Sequence, residues 1–118
     1  MGLLKSIRLK VLGYTDEEIM SMMSKISITE NALKEYKFHV KDNKHEDKRT
    51  LINKIKRCYL CSKDVQVDKN GEIIAHYGNM TIIVIDNEIV KIKNRFGQPK
   101  EFNINERLKK RIDDLYWL

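Results

Sequence analysis

The feature that most constrains this chain is a change in the period of its apolar residues near Ser62. Before that point they recur every three or four residues, and after it they alternate with polar ones. The chain must therefore bury helix stripes and strand faces in a common core. Helices, then a sheet, then a last helix is the order of an α+β domain. In residues 2–12, Leu3, Leu4, Ile7 and Val11 form a stripe that Gly13 can close as a left-handed C-cap. Thr15 and Glu18 make a capping box ahead of Ile19, Met22, Met23 and Ile26. Together these segments predict an N-terminal helical hairpin over residues 1–27. Thr29 is the next N-cap, with Ile28 and Leu33 as a hydrophobic staple and Ala32, Leu33, Tyr36 and Val40 as the stripe. From residue 46 to about residue 60, Leu51, Ile52, Ile55 and Tyr59 mark a further amphipathic helix. Everything before Ser62 reads as helical.

Beyond Ser62, Val65 and Val67 alternate with Asp64, Gln66 and Asp68, and Asn70 with Gly71 predicts a hairpin turn. A second strand follows from Ile73 to Tyr77, and Gly78 with Asn79 turns the chain again. Met80–Ile85 carries no charge and is rich in β-branched residues, so it reads as a central strand buried on both faces. Asp86 and Asn87 turn into residues 89–93, where apolar and basic residues alternate. This is a four-strand antiparallel meander. Gly97, Gln98 and Pro99 break the pattern, and Ile104, Leu108, Ile112 and Leu115 stripe a C-terminal helix entered through Asn103 or Asn105. At 118 residues the chain supports one core, so residues 1–118 are expected to form a single domain with its α+β core over 28–118.

Composition narrows the function classes. Apolar runs such as Met80–Ile85 are too short to span a bilayer, and the N-terminus lacks a signal-peptide pattern, so a soluble, cytoplasmic protein without a membrane partner is expected. Two cysteines, Cys58 and Cys61, exclude a disulfide scaffold and are expected as reduced thiols. The formal charge is +6, and the first 60 residues hold 13 Lys/Arg against 8 Asp/Glu. That excess suits an anionic partner, whether a small molecule, a nucleic acid or an acidic protein; a solvated lysine face is the alternative.

No Gly-rich phosphate loop, GxSxG elbow, HExxH or EF-hand pattern is present, so no catalytic residue is assigned and no enzyme, cofactor or metal is expected. The CxxC lacks a second ligand pair for zinc. It falls at the end of a helix, where the dipole raises a thiol pKa, and reads as two half-buried small side chains on one face. His76, beside Tyr77, Gly78 and Asn79, is the best placed of three histidines for a polar site. Lys91, Lys93 and Arg95 alternate along one strand, with Asn94 and Phe96 at its end. Arginines can clamp a pyrophosphate, an amide can read a ribose or base edge, and Phe96 can stack on a base. Arg57, Arg107 and Arg111 can approach the same surface. The alternative is an edge strand kept charged against aggregation.

Two helices before the segment 71–92, with Asn31 and Ala32 opening the first of them, give residues 28–95 a layout that resembles the RelE/barnase-like nuclease superfold. That resemblance implies a curled antiparallel sheet and, as an alternative function, a ribonuclease toxin. Many such proteins open the first helix with His-Ala, where this chain has Asn31 and Ala32. In size and make-up, with Asn94, Arg95, Phe96 and the Arg57, Arg107, Arg111 set, the chain is also similar to phage anti-Thoeris proteins. That resemblance implies a non-enzymatic inhibitor of bacterial defence that sequesters a cyclic ADP-ribose signal, holding it at Arg57, His76, Tyr77, Asn79, Asn94, Arg95, Phe96, Arg107 and Arg111. A pocket for so charged a ligand calls for a homo-oligomer. Leu115, Tyr116, Trp117 and Leu118 are the candidate packing element, with docking onto their own domain as the alternative. A basic nucleic-acid or protein-binding module of a mobile element is the remaining reading.

Overall fold

The computed structural model describes residues 14–39, 46–62, 64–94 and 105–118. The predicted stripe at 2–12 with its Gly13 cap, Val40, the break at 97–99 and Ile104 lie outside them. Helix α1, Asp16–Lys25, opens as its capping box requires: the Glu18 amide donates to Thr15 Oγ1 at 3.2 Å, and the Thr15 amide donates to Glu18 Oε1 at 3.4 Å. Helix α2, Glu30–His39, is capped by Thr29, whose Oγ1 accepts from the Ala32 amide at 3.1 Å. Helix α3, Lys48–Leu60, is capped by Asp47, whose carboxylate accepts from the Thr50 amide at 2.7 Å. Helix α4, Glu106–Tyr116, starts at Asn105, one of the two predicted caps.

The sheet contains the expected meander and one strand more. Between α1 and α2, Ser27–Ile28 forms a short β1 that runs parallel to the last strand, through Ser27 N–H to Asn87 O at 2.9 Å and Thr29 N–H to Ile89 O at 3.0 Å. Two residues are too few to show a period of 2, so the helical reading passed over them. The meander is β2, Asp64–Val67; β3, Ile73–Tyr77; β4, Met80–Ile85; and β5, Glu88–Asn94, giving the spatial order β1-β5-β4-β3-β2. Asn70 and Gly71 do not make a two-residue turn. Lys69, Asn70 and Gly71 form a three-residue loop, with Asp68 accepting from the amides of Asn70 and Glu72 and Gly71 at φ +83°. Asp86 and Asn87 both take positive φ, the twist-matched turn for a tight hairpin.

The helices cover one face of the sheet. Leu33 and Tyr36 of α2 and Leu51, Ile55 and Cys58 of α3 pack on Ala75, Ile82, Val84, Ile89 and Ile92. β4 is therefore not buried on both faces as expected: Ile82 and Val84 face the helices fully buried, while Thr81 and Ile83 on the other face are half-buried and Ile85 is exposed. A second cluster joins Ile19 and Met23 of α1 to Leu108 and Ile112 of α4 around Cys61, so α1 shares a core with the C-terminal helix. Leu60 and Tyr77 touch both clusters. Each fully buried Ile contributes about 1.5–3 kcal/mol of apolar transfer.

Where β1 stops, side chains of the Thr29–α2 segment take over the edge of β5. Thr29 Oγ1 donates to Val90 O at 3.5 Å, and the Ile92 amide donates to Glu35 Oε1 at 3.1 Å. An edge that would otherwise expose strand hydrogen-bonding groups is thereby closed. Among the described residues no helix is long and apolar enough to cross a membrane.

Candidate functional site

The predicted site residues separate into two places on opposite sides of the sheet. One is the corner where α3, α4 and β3 meet. Arg57, in the last turn of α3, donates through Nη1 to Asp113 of α4 at 2.7 Å, with the two side chains only 13% and 24% exposed. Burial is the largest single effect and works against the guanidinium charge, but the Asp113 hydrogen bond and the charge interactions with Cys58, Asp113 and Tyr77 together outweigh it and hold the Arg57 pKa above its ordinary value. Arg111 donates to Asp16 and to the Tyr14 carbonyl, tying α4 to the start of α1. These two arginines, assigned to a ligand from sequence, are held in contacts between helices. Their partners Asp113 and Asp16 are distant in sequence, so no local motif could reveal them.

The same corner holds both cysteines, and they are fully rather than half-buried, because Cys58 enters the first cluster and Cys61 the second. Burial pushes the Cys58 thiol up to about 11 and the Cys61 thiol up to about 12, against the opposing pull of Arg57. Tyr77, on the helix side of β3, is likewise raised by burial and by the neighbouring cysteines. Neutral thiols and a neutral phenol make this corner a packed junction without a ready nucleophile near neutral pH. No group of three or more metal-ligating side chains occurs among the described residues. Asn79 lies in the β3–β4 turn, half-buried, with a buried Oδ1 that meets no hydrogen-bond partner among the described residues.

The other place is the sheet face away from the helices. Strand register sets His76, Thr81 and Lys93 side by side across β3, β4 and β5, and sets Gln66, Ile74, Ile83 and Lys91 side by side in a second row. Neighbouring strands lie about 4.8 Å apart, so each row spans only a few side chains. Lys91 and Lys93 are exposed, and Ile74, His76, Thr81 and Ile83 are half-buried. The result is a basic rim along β5 beside a mixed floor across β3 and β4, apolar at Ile74 and Ile83 and polar at His76 and Thr81. Of the sequence-stated residues, His76 belongs here with Lys91 and Lys93. Asn94 pairs through its backbone with Met80, Arg95 and Phe96 lie outside the described residues, and Arg107 is exposed on the first turn of α4. Thr81, Ile74 and Ile83 were missed from sequence, because only the register places them beside the lysines. At the C-terminal end, Leu115, Tyr116 and Leu118 dock on the second cluster of their own domain, and Trp117 stands 93% exposed.

Among curated proteins and among solved structures nothing matches the chain. A family match is present: the family described as YorE aligns with residues 26–115, from β1 through nearly all of α4. That span takes in the whole sheet, α2 and α3, and so both places described above. The chain belongs to the YorE family, a protein family of phage type.

Proposed function

We propose that this protein is a non-enzymatic binder that sequesters an anionic, nucleotide-derived small molecule, such as a cyclic ADP-ribose, on the open face of its sheet, and so acts against a bacterial defence signal. The observation that carries the reading is the pairing of a basic rim with a floor that is apolar at Ile74 and Ile83 and polar at Thr81 and His76. Lys91 and Lys93 stand exposed beside half-buried Ile83, Ile74, Thr81 and His76. Phosphate oxygens take charge-assisted hydrogen bonds from the lysines. A flat heterocycle covers Ile74 and Ile83, and Thr81 and His76 offer polar contacts to a ribose. Binding without turnover fits a face that pairs cationic and apolar groups, with the thiols held neutral elsewhere. Phage type supports an anti-defence setting.

Native mass spectrometry with cyclic ADP-ribose tests this. The proposal expects a mass gain of one ligand per site, recovery of the ligand intact on denaturation, and loss of the gain in the Lys91→Ala/Lys93→Ala variant. The same spectrum reports whether the protein is a homo-oligomer. No mass gain, or release of a cleaved product, overturns the reading.

A further inference from the structure

We infer that the solvent face of α2 is a second binding surface, on the opposite side of the sheet, that takes single-stranded nucleic acid by stacking a base on Phe38 and holding phosphates at Lys34 and Lys37. Asn31, Lys34, Lys37 and Phe38 are all exposed, and at 100° per residue they fall within an arc of about 120°. The opposite side of the helix is spent on the core through Ala32, Leu33 and Tyr36. Phe38 is 82% exposed, an unusual position for a large aromatic on a helix that already buries an apolar stripe. Its ring is set by an edge-to-face contact with His39, with centroids 5.2 Å apart and planes at 81°.

The electrostatics of the helix point the same way. Glu30 pairs with Lys48 of α3 at 2.6 Å and also feels the charges of Lys34 and Lys37, and Glu35 turns inward to the Ile92 amide. Among the described residues, Lys34, Lys37 and Lys48 outnumber the two carboxylates of α2. Lys34 and Phe38 lie one turn apart, about 6 Å along the axis at 1.5 Å per residue. That rise is of the order of the step between nucleotides in an extended strand, so a base on Phe38 brings a flanking phosphate to Lys34 or Lys37. Asn31, one turn further on, adds an amide for a base edge. Stacking tolerates any base, so the surface favours unpaired strands over a duplex and shows little sequence preference.

Fluorescence anisotropy with a labelled oligothymidylate of about ten nucleotides tests the inference at low and at raised salt. Phe38→Ala is expected to weaken binding about tenfold or more, and Phe38→Tyr to restore it. Lys34→Ala/Lys37→Ala is expected to weaken binding and to flatten its dependence on salt by roughly the share of two phosphate contacts. Lys91→Ala/Lys93→Ala should bind the oligonucleotide as the parent does, which separates this surface from the open sheet face. All five substituted positions are exposed, and unchanged thermal melts of the variants confirm that folding is intact. The inference is overturned by absence of binding at low salt, by equal affinity for a duplex, by an unchanged affinity in Phe38→Ala, or by loss of binding in the Lys91/Lys93 variant alone.

Discussion

Removing Asp113 should destabilise this protein far more than removing its partner. In Asp113→Ala the Arg57 guanidinium, 13% exposed and with Nε already lacking a partner among the described residues, keeps its charge in the corner between α3 and α4. Breaking a buried ion pair from one side costs about 3–5 kcal/mol. Because Asp113 is 24% exposed and water can reach the vacated space, a value near the lower end, about 3 kcal/mol, is expected. Arg57→Met keeps much of the packing volume and leaves only the more exposed carboxylate unpaired, so about 1 kcal/mol is expected. For a chain of this length 1 kcal/mol moves the melting temperature by roughly 4 °C, which puts Asp113→Ala about 12 °C and Arg57→Met about 4 °C below the parent. Urea unfolding of both variants and the double variant gives the cycle. Losses below about 0.5 kcal/mol in both single variants would show that the pair is a solvated contact, and the structural role assigned to Arg57 would fall.

Other outcomes follow from single contacts. Glu35→Ala leaves the buried Ile92 amide without its acceptor and should cost about 1–3 kcal/mol, whereas Glu35→Gln keeps an oxygen and should cost less; equal losses in chemical denaturation would contradict the edge cap. The Asp47 carboxylate is held below its ordinary value by the Thr50 hydrogen bonds. A lowered folded pKa gives stability that is present above the unfolded value and lost as pH falls. Melts between about pH 6 and pH 2 should therefore show the parent losing more stability than Asp47→Asn, and parallel curves would refute this. The thiols move in the opposite sense. With folded values of about 11 and 12, their contribution is complete below the unfolded value near 8.5 and is lost as pH rises. Between about pH 8.5 and pH 10, Cys58→Ala and Cys61→Ala should each show a shallower loss of stability than the parent, and an unchanged slope would place the thiols in contact with water.

Much of the fold was legible because its signals are local. Thr15 with Glu18, Thr29 and Asn105 are caps whose partners lie three residues away, and the change of period at Ser62 falls where α3 gives way to the sheet. What escaped depends on neighbours far along the chain. β1 is two residues long and exists because Asn87 and Ile89 accept from the amides of Ser27 and the following Thr29. The one-sided burial of β4 follows from where α2 and α3 come to rest. The site shows the same division. Lys91 and Lys93 share a face by simple alternation, so the sequence placed them correctly. Arg57 and Arg111 carry the same charge and residue type as ligand-binding arginines, but Asp113 and Asp16 meet them only in the folded chain. Phe38 lies off the stripe of Ala32, Leu33 and Tyr36, and a single apolar residue outside a stripe carries no signal of its own.

The most direct test of the account is isothermal titration of cyclic ADP-ribose into the parent, Lys91→Ala/Lys93→Ala and Arg57→Met, each below its melting temperature and at two salt concentrations. The account predicts saturable binding to the parent that weakens with salt, loss of that binding in the double lysine variant, and retention in Arg57→Met. Binding lost in Arg57→Met and kept without Lys91 and Lys93 would move the ligand to the corner between α3 and α4 and contradict the assignment of the open sheet face.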